Sequence, residues 1–93
     1  LDVPLLGGAL ELAGNGVQSS LFADNLVGAV GVTAPSGARY DLLFDPQTAG
    51  GFLAAVAPER AAQYVQELQN AGYVDACVIG HMTDVAGVIE ARG

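Results

Sequence analysis

The stretch Asp45-Pro46-Gln47-Thr48-Ala49-Gly50-Gly51 constrains this chain more than any other. It separates two apolar runs, Tyr40-Asp41-Leu42-Leu43-Phe44 and Phe52-Leu53-Ala54-Ala55-Val56. Both runs read as strands, so the segment between them reads as their connecting loop. Pro46 lacks an N–H and fixes φ, which takes the chain out of a sheet. Gly50-Gly51 permits positive φ and leaves main-chain N–H groups unshielded. Successive exposed N–H groups can form a concave nest that accepts an anion. A plain connector made of turn residues is the alternative reading.

The chain is 93 residues long, room for one domain or a domain fragment with a small core. Its residues are 52% hydrophobic and 14% charged, so apolar surface is left over to meet another domain or subunit. Gly, Asp, Asn and Pro interrupt every apolar stretch well short of the roughly 20 residues that span a bilayer. No basic region of a signal peptide opens the chain, and Leu1 stands where an initiator Met would, so a piece of a longer protein is expected.

The formal charge is −7, with Arg39, Arg60 and Arg92 as the strong cations and no lysine. That excludes the basic face that nucleic acid requires. It also excludes a self-sufficient phosphate site of the P-loop kind, which places a lysine on the phosphates. Cys77 is the single cysteine, in keeping with a reducing cytoplasm. Its apolar run, Ala76-Cys77-Val78-Ile79, reads as buried strand. In an extended strand Cys77 and His81 lie roughly 13 Å apart, too far for a thiolate–imidazole pair. Asp41 and Asp45 would be separated by the same rough 13 Å, so one Mg²⁺ could not bridge them, and a solvated or loop-bracing role fits both.

Periodicity predicts a helix over 3–13, with Asp2 as cap and Pro4 in the first turn, ended by Gly14-Asn15-Gly16. Ser19-Ser20 caps a second helix over 21–30, with Leu26, Val27 and Val30 inward. Residues 33–38 read as loop. A long helix is predicted from Pro58 to Gly72, with Ala61, Val65, Leu68 and Ala71 as its apolar stripe. Strands are predicted over 74–82 and 87–91. The fold class is therefore α+β, a mixed or mostly antiparallel sheet with helices packed on one face. The strand at 52–56, the long helix and the strand at 76–82 would form a right-handed β-α-β unit if the strands are parallel.

Three segments carry a family resemblance. Asp45–Gly51 followed by an apolar run resembles a signature near the C-terminus of selenophosphate synthetases. Ser19-Ser20-Leu21-Phe22-Ala23-Asp24-Asn25 resembles that family's Ser-Ser-Leu-x-x-x-Asn segment, and Val78-Ile79-Gly80 resembles its last strands. The resemblance runs from about Val3 to Arg92. It implies the latter part of the C-terminal domain of the aminoimidazole-ribonucleotide-synthetase-like superfamily.

Members of the family make selenophosphate from selenide, ATP and water, releasing AMP and orthophosphate. Their nucleophilic Cys or Sec, lysine, glycine-rich segment and metal-binding aspartates lie in an N-terminal region with no counterpart here. The resemblance therefore implies no catalytic residue and no metal ligand in this chain. ATP and Mg²⁺ belong to the parent enzyme, and the chain alone is expected to bind neither strongly. Thr48, Gly50 and Gly51 are implied to lie nearest the phosphates or the interdomain cleft, and Asp45 and Gln47 to fix the loop. Asn25 is either a cleft residue or a solvated helix position. The implied partners are an upstream N-terminal ATP-binding domain and a second copy of the chain. Two other functions stay open: a non-catalytic interaction module of the same fold, and an enzyme of thiamine phosphate or purine synthesis.

Overall fold

Two adjacent glycines set where the first helix begins. In a computed structural model, which describes residues 1–47 and 50–92, Gly8 adopts φ 81° and α1 starts after it, spanning Ala9–Gly14. The helix expected from residue 3 is thus shorter, and Asp2 does not cap it. Ordering two consecutive glycines costs more backbone entropy than one added turn returns. Its end is as expected. Gly16 takes φ 80°, the Gly16 N–H reaches the Ala13 carbonyl at 3.0 Å, and the Val17 N–H reaches that of Leu12 at 3.0 Å. This pair of bonds is a Schellman motif, which satisfies carbonyls that the helix end leaves over.

Helix α2 spans Phe22–Gly28. The Ser19 hydroxyl accepts from the Leu21 N–H at 3.2 Å, so Ser19 serves the start of α2 from just outside it. Phe22 is half-buried, whereas Leu26, Val27 and Val30, expected inward, are all exposed.

The run Tyr40–Phe44 is not a strand. Ala38–Asp41 is helix α3, continued by a 3-10 turn over Leu42–Phe44. The Gly37 carbonyl receives both the Tyr40 and Asp41 N–H groups at 3.0 Å. A short apolar run fits either backbone period, and this local turn decides the matter. Strand β1, Val32–Thr33, pairs in parallel with β2, Ile89–Glu90, in the register Val32 to Ile89 and Thr33 to Glu90. Residue 33 had read as loop, and a parallel pairing takes the place of the mixed or antiparallel one expected.

The described residues fall into two compact units. One comprises Leu5–Gly50 and Val85–Gly93. Within it α1 packs on α3, and both α1 and α2 pack on the 3-10 turn at Leu42–Phe44. Ala9, Ala13, Phe22 and most of the stretch from Ala38 to Pro46 are half-buried, so the most sheltered residues lead directly into the loop.

The other unit comprises Leu1–Pro4 and Gly51–Asp84. Pro58–Arg60 forms a 3-10 turn that runs into α4, Ala61–Asn70. Proline in the first turn costs no hydrogen bond. Ala61 and Val65 are its half-buried side chains. Gly72, at φ 105°, closes a second Schellman motif, with Tyr73 N–H to Leu68 carbonyl at 3.0 Å. The strands expected over 52–56 and 74–82 do not form, and with them goes the β-α-β unit: these segments find no ladder partner among the described residues.

The architecture is α+β, four helices and a two-stranded sheet among the described residues. Contacts between its elements run helix to helix and strand to strand, in place of helices laid on one face of a broad sheet. No described helix is long and apolar enough to cross a membrane.

Candidate functional site

The loop begins at the end of the 3-10 turn. The Asp45 N–H lies 3.4 Å from the Leu42 carbonyl, and Asp45 itself is extended, with φ −66° and ψ 124°. Pro46 dictates this conformation, because its ring disfavours helical geometry in the preceding residue. Asp45 and Pro46 are half-buried; Gln47, Gly50 and Gly51 are exposed. Thr48, expected near the phosphates, lies outside the described residues, as does Ala49.

Gly51 does not take positive φ, so the left-handed nest expected at that residue is not present there. Among the described residues a Cβ on Gly51 would meet nothing within 4 Å, and one on Gly50 would lie 3.6 Å from Gln47 Oε1, an ordinary contact. Small size leaves the main-chain groups of Gly50 and Gly51 uncovered by a side chain; backbone strain at Gly51 plays no part.

Asn25 is drawn to the loop's stem. Its Nδ2 donates to the Phe44 carbonyl at 2.9 Å, across 19 residues of chain. This ties the segment around Ser19–Asn25 to the entrance of the Asp45–Gly51 segment. The sequence reading missed the acceptor because it is a main-chain atom. The available signal was Pro46: a turn ending just before an X-Pro pair leaves carbonyls without main-chain donors, and a side-chain amide can supply one.

Other candidates are placed differently. Cys77 is exposed, not buried, with its Sγ 3.5 Å from the Asp2 carbonyl oxygen. Among the described residues no three His, Cys, Asp or Glu side chains gather to hold a metal ion. Glu90, the last residue of β2, and Arg92 form an exposed ion pair at 3.0 Å. The hydrogen bond and charge of Arg92 hold the Glu90 carboxyl below its ordinary range, and Glu90 raises Arg92 in turn.

The chain is selenophosphate-synthetase-like in sequence. It is 34% identical over 94 aligned positions to a selenide, water dikinase of Paraburkholderia xenovorans, covering 96% of this chain and 26% of that protein. A selenide, water dikinase of Clostridioides difficile is 33% identical over 87 positions, 84% of this chain and 24% of the relative. A shorter match, 52% over 44 residues, joins 47% of the chain to 13% of a selenide, water dikinase from Pelobacter propionicus. The chain thus spans about a quarter, or less, of the length of these relatives. No family model and no solved structure matches it.

Proposed function

We propose that this chain is the C-terminal portion of a selenide, water dikinase, which converts selenide, ATP and water to selenophosphate, AMP and orthophosphate. The observation that carries the reading is the 34% identity maintained over 96% of the chain. The Asp45–Gly51 loop contributes to the interdomain phosphate cleft. Main-chain N–H groups at Gly50 and Gly51 serve as donors for charge that spreads during phosphoryl transfer, and Thr48 is assigned to the same phosphates. Asp45 and Gln47 hold the loop's shape.

The reacting groups come from an upstream ATP-binding domain, which also supplies the ligands for Mg²⁺; the bound ion neutralises charge on the ATP phosphates. The parent enzyme works as a homodimer in the cytoplasm. The test is genetic. The full-length reading frame should restore selenium incorporation to a bacterium that lacks its own selenophosphate synthetase. A well-expressed, soluble product that fails to restore it would overturn the proposal.

A further inference from the structure

We infer that Asn25 is a positioning residue that sets the entry direction of the Asp45–Gly51 loop, acting through the Phe44 carbonyl and not by touching substrate. The inference rests on the reading that this loop serves a phosphate cleft. Asn25 lies within α2, three residues after half-buried Phe22, and its own N–H is committed to the Leu21 carbonyl at 3.1 Å. Only its side chain is available for a remote partner, and it reaches Phe44 at 2.9 Å.

Phe44 is the last residue of the 3-10 turn, and two features leave its carbonyl in need of a donor. Asp45 turns extended, so the chain leaves the helical path. Pro46 has no N–H. The Asn25 amide fills that place, and α2 packs on the same turn. The bond therefore fixes the peptide plane from which Asp45 departs. Rotating that plane redirects Asp45 and Pro46, and with them the direction in which the loop sets out toward Gly50. A shift of about 1 Å at a main-chain donor is enough to slow chemistry by up to a hundredfold.

Two substitutions in the full-length protein test this. Asn25→Asp keeps the side chain's shape but replaces the donor with an oxygen that faces another oxygen. Asn25→Gln keeps the donor on a longer arm. The expected result for Asn25→Asp is a fall in kcat for AMP formation of about tenfold, with KM for ATP nearly unchanged and the thermal midpoint close to wild type. Asn25→Gln should recover part of the loss. An Asn25→Asp enzyme with wild-type kcat would overturn the inference. So would a loss that merely follows the unfolded fraction, or one that Asn25→Gln leaves wholly unrepaired. Should the wild-type protein form no AMP, the dikinase reading fails, and the brace is then decided by the backbone amide resonances of Gln47 and Gly50. Their displacement by Asn25→Asp supports it, and unmoved resonances refute it.

Discussion

A Cβ on Gly31 would collide with the carbonyl oxygen of Gly87. The two glycines flank the parallel pair β1–β2, and both adopt positive φ, 80° at Gly31 and 73° at Gly87. The Gly31 carbonyl also accepts the Ile89 N–H at 2.8 Å, and Thr33 accepts the Ala91 N–H at 2.7 Å. Two distant parts of the chain are joined here by main-chain hydrogen bonds, and at Gly31 a side chain has nowhere to go.

Gly31→Ala should therefore destabilise by about 2 kcal/mol or more, from left-handed strain plus displacement of the Gly87 carbonyl. Gly14→Ala is the opposite case. Gly14 lies in α1 with open space around it and no positive φ, so alanine should stabilise by roughly 0.5–1 kcal/mol. Urea midpoints of the two variants, displaced in opposite directions, check both statements. Equal midpoints would mean that β1–β2 does not hold in solution.

Substitution of Gly51 separates proximity from strain. Its φ is not positive and a Cβ would meet no described residue within 4 Å, so Gly51→Ala should leave stability within about 0.5 kcal/mol of wild type. If Gly51 takes the proposed place in the phosphate cleft, turnover of the full-length protein should nevertheless fall, because an added methyl group would obstruct the phosphates. A stable variant with unimpaired turnover would remove Gly51 from the cleft.

The parts of this fold legible in the sequence are those decided locally. Gly16 and Gly72 end their helices as their residue types require, since only a left-handed residue lets the next N–H turn back to the carbonyl of Leu12 or Leu68. Pro58 marks the start of the helical stretch that ends at Asn70 for a similar reason. What was not legible depends on remote partners. Phe52–Val56 and Val74–Met82 have strand composition, but a strand exists only when another backbone completes its ladder. Thr33 carries no local mark of pairing with Glu90. In the candidate site, Asp45 and Pro46 announced a turn, whereas the bond from Asn25 to Phe44 required knowing that α2 packs on that turn.

Exposed apolar side chains in the unit containing Gly51–Asp84 lead to a further expectation. Relative exposure is 107% for Phe52, 82% for Leu53 and 81% for Met82. Apolar side chains this open, on segments without ladder partners, favour association. The 93-residue chain in isolation should self-associate as its concentration rises, as followed by sedimentation velocity. A monomer at every concentration that also fails to bind an apolar-surface dye would contradict this.

The Glu90–Arg92 pair gives a pH dependence of known sign. Glu90 has a folded-state pKa below its unfolded value, so its contribution is present above the ordinary glutamate range and is lost as pH falls through the lower, folded value. The pair is exposed, and its effect on stability is correspondingly small. Carboxyl NMR titration should show Glu90 titrating below the ordinary range, and Arg92→Gln should return it there. A titration that the substitution leaves unmoved would dissolve the pair.

The central claim is that these residues complete a selenide, water dikinase without supplying its reacting groups. Phosphorus NMR of ATP incubated with selenide tests it most directly, comparing the full-length protein with the 93-residue chain under identical conditions. The full-length protein should form selenophosphate, AMP and orthophosphate in equal amounts, and the chain alone should leave ATP intact. Selenophosphate formed by the chain alone, or ATP left untouched by a folded full-length protein, would contradict it.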